Sequence, residues 1–172
     1  MADGESLRER LHRHLDELPE ERLALVAGWL GSMTRMGSDR SAWQSVDSPG
    51  PLADLLHIRH VSSGEGRSLY ELAVGPDHLN PNGVLHGGAV YTMVDYSMGS
   101  ATMSVLDSGQ YCATIEIKMS YLASVRGGTL RCDTHVVKKG RHIAFLESKV
   151  HDDSDRLVAT ATGSFMIMSP GR

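Results

Sequence analysis

The sequence predicts an α+β domain in which one antiparallel sheet wraps a single long central helix, with a helical extension in front of it. Three observations lead there. The segment from Ala89 to Leu106 is weakly polar, free of Pro and carries Asp95 as its only acidic residue, and a helix without a polar face is a buried helix. The stretches on either side of it are short runs of alternating character separated by turn residues, the pattern of strands with one face covered. The first 36 residues show a third pattern, leucines at helical spacing.

In chain order, Leu7, Leu11, Leu15 and Leu18 recur every three to four residues, and after Pro19 the set Leu23, Val26, Leu30 and Met33 does the same. Pro19 suits the first turn of a second helix, with Glu20 and Glu21 near its positive end. Residues 1–36 therefore read as a helical hairpin or kinked helix. Residues 37–52, rich in Gly, Ser, Asp and Pro around Trp43, read as a linker. Residues 53–168 form the main domain. Its expected elements are strands over 54–61 and 67–74 around a Ser62 to Gly66 turn, the central helix, and four more strands. In the first of those four, residues 111–121 are apolar at odd positions, so Cys112, Thr114, Glu116, Lys118 and Ser120 fall on the polar side. The other three run from the Gly127-Gly128 turn, over 143–150, and over 157–168. Short turns between consecutive strands imply antiparallel neighbours.

Composition excludes several classes. With 41% hydrophobic and 22% charged residues, neither disorder nor a membrane span is expected. A net charge of −4 without a long basic tract argues against nucleic acid as the partner. No signal-peptide pattern is seen, and the default compartment is the cytoplasm. Cys112 and Cys132 read as small buried residues in a reducing environment. The histidines His78, His135, His142 and His151 lack metal-ligand spacing, so no metal is expected.

The chemistry concentrates in Asn80-Pro81-Asn82-Gly83-Val84-Leu85-His86-Gly87-Gly88, a turn that runs into the central helix. Backbone N–H groups at a helix start are aimed donors for a developing negative charge, and Gly87 and Gly88 leave that backbone open. Asp95, two turns further on, admits two readings from the residues alone. It is a structural carboxylate bonded to a neighbour, or a general base whose pKa burial would raise.

The order of turn, His86-Gly87-Gly88 and Asp95, with the Lys139-Gly140-Arg141 turn and the closing strand Leu157 to Phe165, resembles the hot-dog-fold thioesterases of the phenylacetic-acid-pathway type. The likeness covers about Asp54 to Met168 and leaves out the N-terminal fifty or so residues. It implies thioester hydrolysis in a site shared across a homodimer or a dimer of dimers. Asn80 and Gly87 of one chain would work with Asp95 and Thr114 of the other, Asp95 serving as general base or nucleophile and Gly87 N–H as oxyanion donor. The substrate would be an acyl-CoA or an acyl-carrier protein, with coenzyme A present only as part of the substrate. His86 and Gly88 would shape the turn, and Tyr91, Met98 and Thr102 would line the acyl pocket. Arg126, Lys138, Lys139 and Arg141, expected at neighbouring turns beside His142, would meet the coenzyme A phosphates. Two alternatives are a hydratase or dehydratase on the same fold, partly imitated by Asp77-His78-Leu79-Asn80-Pro81, and an acyl-CoA sensor without catalysis.

Overall fold

The structure is a computed structural model that describes residues 6–20, 22–24, 26–27 and 49–169. The chain divides into two units, Met1–Asp39 and Arg40–Arg172. In the first, α1 spans Leu7–Asp16 and begins at a capping box, where the Ser6 hydroxyl accepts from Glu9 N–H while the Glu9 carboxylate takes the Ser6 N–H. The helical pattern resumes at Glu20, with Arg22 and Leu23 N–H donating to the Pro19 carbonyl. The expected contributions of Leu30, Met33 and Trp43 lie outside the described residues.

The second unit contains α2 (Pro51–Leu55), β1 (Ile58–Gly64), β2 (Arg67–Ala73), a 3-10 turn (Pro76–His78), α3 (Gly87–Met103), β3 (Tyr111–Tyr121), β4 (Thr129–Lys139), β5 (Ile143–His151) and β6 (Leu157–Met168). The first expected strand begins too early. Pro51 starts a short helix that buries Ala53 completely, and only from Ile58 does the chain extend. The β1–β2 turn is also tighter than expected: Glu65 and Gly66 alone make it, at φ 50° and 77°, the two positive values of a type I′ hairpin.

All six strands pair antiparallel in the order β1-β2-β4-β5-β6-β3. The expected neighbourhood of β3 and β4 is thus wrong. β3 pairs with β6 at the far edge, and the linking segment crosses the sheet end, where Leu122 and Ala123 N–H donate to the Val158 carbonyl. α3 is the crossover that carries the chain from β2 to that far edge, and it lies on the sheet face on the way. Met93, Val94, Met98 and Ala101 are fully buried beneath it against Tyr70, Leu72, Leu130 and Phe165, each large side chain adding about 1.5–3 kcal/mol by burial.

The helix is not apolar all round in its packing. Its sheet-facing side carries serines that bond to different parts of the sheet. Ser97 joins Ser68 of β2 and Thr134 of β4, both at 2.7 Å, Ser100 bonds Tyr70 Oη at 2.6 Å, and Ser104 accepts from Gly66 N–H at 2.8 Å. The opposite stripe, Gly88, Tyr91, Thr92, Asp95, Tyr96 and Gly99, is exposed or half-buried in the protomer. The sheet wraps one side of the helix and leaves the stripe with Asp95 open.

Candidate active site

The turn before α3 is built by Asn80. Its Oδ1 accepts from Asn82 N–H at 2.9 Å and Val84 N–H at 3.4 Å, while its main chain exchanges bonds with Val84 O and Gly83 N. These bonds occupy the carbonyl end of the side chain, and its NH₂ group has no acceptor among the described residues. The turn is moored on both sides, Leu85 N–H bonding Val125 O and His86 N–H bonding His78 O, each at 2.8 Å.

His86 is the N-cap of α3, and its Nδ1 accepts the Gly88 N–H at 2.9 Å. The expectation of two bare amides is therefore corrected: Gly88 N–H is taken, and Gly87 N–H alone finds no acceptor among the described residues. Tyr121, the last residue of β3, lies over this glycine. Its hydroxyl donates to Gly87 O at 2.9 Å, and a β-carbon at position 87 would stand 3.0 Å from its ring. Burial first, and Tyr91 second, hold the Tyr121 phenol above its ordinary value, which keeps it a neutral donor. Nothing in the sequence pattern singles out this tyrosine, because it reads as one more apolar odd position of its strand.

Asp95 is half-buried rather than enclosed. Its Oδ1 accepts a hydrogen bond from Thr114 Oγ1 at 2.7 Å, so the hydroxyl and the carboxylate are brought together within one chain. The expected phase of β3 is wrong at this point, and a β-bulge is the reason. Thr114 pairs with Phe165 and Glu116 with Ser164, leaving Ile115 as an extra residue. The bulge reverses the alternation, so Cys112 and Thr114 face α3, while beyond it Ile117 and Met119 pack on the core. Cys112 Sγ lies 3.7 Å from Gly99 O, and burial first, then the Asp95 carboxylate, push its thiol up to about 11. It is a packing residue with its proton held.

An apolar cavity of about 380 Å³ opens beside Gly87, walled by Val84, Leu85, Val90, Leu122, Val125 and Val158, with Tyr121 among its lining; that volume is within the range of small-ligand sites. None of the residues expected to line the acyl pocket is in the wall of this cavity. Tyr91 is 38% exposed on the open stripe, but Met98 and Thr102 have no exposed surface. Met98 is wedged against β6, where a β-carbon at Gly163 would meet its sulfur at 2.6 Å, and the Thr102 hydroxyl is committed to Met98 O. Both belong to the core.

The basic residues also separate. Arg126 precedes β4 and Lys138, Lys139 and Arg141 follow along or after its far end, and eleven residues of strand put about 33 Å between the two ends. Arg126 adjoins Val125 in the cavity wall, whereas Lys139 lies 3.9 Å from Asp107, beyond the C-terminus of α3. All four residues are exposed. His78 is buried and its Nδ1 accepts from Gly75 N–H, leaving Nε2 without a partner. Burial first, then His57, lower its pKa. Among the described residues no group of three or more His, Cys, Asp or Glu side chains is placed to hold a metal ion, and no helix is long and apolar enough to cross a membrane.

Comparison with known proteins gives a consistent picture. A family model described as the thioesterase superfamily matches residues 82–159. The PA0474 protein of Pseudomonas aeruginosa, an esterase by name, is 30% identical over 125 residues, covering 72% of this chain and 92% of its own. Acyl-coenzyme A thioesterase 13 of Homo sapiens is 31% identical over 91 residues, 51% of this chain and 63% of the human protein. Among solved structures, the conserved protein PA5202 of P. aeruginosa aligns with a TM-score of 0.68 at 30% identity, covering 71% of this chain and 97% of its own. The PaaI protein of the E. coli phenylacetic acid degradation operon aligns at 0.65 with 20% identity, over 70% and 86%, a likeness of fold.

Proposed function

The chain belongs to the thioesterase superfamily and is a thioester hydrolase of the hot-dog fold, and from that premise we propose that it hydrolyses acyl-CoA thioesters at a site shared between two copies. Asn80 and Gly87 of one copy would act with Asp95 and Thr114 of the other. The observation that carries this reading is the Thr114–Asp95 hydrogen bond of 2.7 Å, standing apart from the free Gly87 N–H. Eight residues of helix separate Gly87 from Asp95, about 12 Å at about 1.5 Å per residue, too far for one chain to hold both against a single carbonyl. A second copy removes the difficulty. β3 is an edge strand of eleven residues, and the stripe of α3 with Asp95 lies open beside it. Long bare edges are seldom left unpaired.

In such a site Gly87 N–H donates to the thioester oxygen as negative charge develops there. Thr114 holds one oxygen of Asp95, leaving the other to take a proton from water or to attack the carbonyl carbon directly. In the first case hydroxide adds to the carbonyl carbon, the C–S bond breaks, and the thiolate leaves with the proton that Asp95 carried; in the second the attack expels the thiolate and leaves a mixed anhydride on Asp95, which water hydrolyses to free acid and the restored carboxylate. The NH₂ group of Asn80 would orient the acyl carbonyl or the water, and the apolar cavity suits the acyl portion. A carrier-protein thioester is the variant substrate with the same chemistry. The hydratase alternative is weaker because its motif needs a histidine shortly after Pro81, and the next one in the chain, His86, is the N-cap of α3 with its Nδ1 committed to Gly88 N–H. Two unpaired cysteines fit the reducing cytoplasm.

The test is free-thiol release from short, long and aromatic acyl-CoAs. Asp95→Ala is expected to lower kcat by about 10²- to 10⁴-fold, the usual worth of a positioned base, and equal rates for the two proteins would remove Asp95 from the mechanism. Mixing the separately inactive Asp95→Ala and Asn80→Ala chains should restore activity by forming one intact shared site. Mixtures that stay inactive would place the whole site in a single chain.

A further inference from the structure

The peptide between Gly87 and Gly88 is gripped at both ends. Its carbonyl oxygen accepts from Tyr121 Oη, and its N–H donates to His86 Nδ1, each bond 2.9 Å long. The phenolic proton has one other acceptor in reach, Met119 Sδ at 3.7 Å, and the carbonyl is the nearer and stronger. Two successive glycines are the most mobile backbone a chain can offer. An oxyanion donor is worth most when it is already aimed and has no reorganisation left to do. With the following peptide plane fixed by two side chains, Gly87 N–H is left without an acceptor among the described residues.

We propose that Tyr121 is a positioning residue for the Gly87 donor, the outer jaw of a clamp whose inner jaw is His86. This rests on the reading of Gly87 as oxyanion donor given above. The tyrosine closes β3, the same strand that supplies Thr114 at its bulge, so one strand aims the donor of its own chain and holds the acid that would serve the other. The ring forms part of the cavity wall, which gives it a second role as a door post for the acyl group. The two roles separate chemically, because Tyr121→Phe removes the jaw and keeps the post, while Tyr121→Ala removes both.

The experiment is steady-state kinetics of both variants over the acyl-CoA series, with amide hydrogen exchange at Gly88 followed by NMR. Tyr121 is 53% exposed, and losing its hydroxyl should leave the melting curve in place. Tyr121→Phe is expected to lose about three- to tenfold in kcat, the worth of one hydrogen bond, with KM and acyl preference unchanged and faster exchange at Gly88. Tyr121→Ala should in addition shift preference towards bulkier acyl groups. A Tyr121→Phe enzyme with unchanged kcat, or one altered only in KM, overturns the clamp. If the unmodified chain releases no thiol from any acyl-CoA, the proposed function fails by itself. The clamp is then judged on exchange alone, where unchanged protection of Gly88 overturns it.

Discussion

Asp95 was legible as a chemical group because an acid alone in an apolar helix must have a partner. Only the family resemblance grouped Thr114 with it; the strand pattern did not, since alternation along a strand is a local property and a single extra residue, Ile115, reverses it. Met98 and Thr102 failed for a related reason: helical spacing relates them to Asp95 but says nothing of what covers them, and Gly163 lets Met98 sink into the sheet. Burial has a consequence for pH. The Cys112 thiol is raised from an ordinary value of 9.0 to about 11, by burial first and Asp95 second. The Tyr70 phenol is raised from 10.0 to about 12, by burial first against the opposing pull of the Ser100 hydroxyl. Both protons are held more tightly in the folded chain, so their contribution to stability is complete below about pH 9 and is lost as pH rises through about 11 and 12. Melting temperatures measured from pH 8 upward should therefore fall on the alkaline side, and a rise there would contradict the assignment.

At the level of elements, the central helix was read correctly as the organising piece and incorrectly as featureless. Hydroxyls count as nearly neutral in a hydropathy pattern, and their directions appear only once the sheet is in place. Ser148, Thr134, Ser97 and Ser68 form a buried chain with contacts of 2.6–2.7 Å, and Ser68 donates to Ser97 O. Each hydroxyl has one proton, so that last donation sets all the others: Ser148 gives to Thr134, Thr134 to Ser97, and Ser97 to Ser68. Removing a middle member orphans a buried proton, whereas removing Ser148 orphans none. Ser97→Ala is accordingly expected to cost about 1–3 kcal/mol and Ser148→Ala clearly less. Denaturant unfolding of the two variants checks this, and equal losses would refute the direction of the chain. Apolar packing alone would allow the helix to slide over the sheet; these bonds hold the rotation that points Asp95 at Thr114.

For the molecule as a whole, strand number, the central helix and the antiparallel sheet could be read from the sequence, because short turns and alternation carry that information. The place of β3 could not. Its link to β4 is short enough for a hairpin, yet it crosses the sheet end to bond Val158, and only the packing of the whole sheet decides between the two routes. The same topology places Arg126 and Lys138 at opposite ends of one strand, although twelve positions apart in sequence reads as nearby. The bulge on β3 also bears on which changes of length this chain can accept. Thr114 and Glu116 already pair with consecutive residues of β6, so deleting Ile115 would leave every other pair in register and Thr114 still turned to Asp95, and that shortened protein should fold and keep its activity. Deleting Lys118 instead would displace one half of the strand against its partner and turn a set of core side chains outward, and that protein should not fold. Two deletions three positions apart in one strand would thus have opposite fates, which locates the one point where this strand could have gained a residue during descent without losing its core.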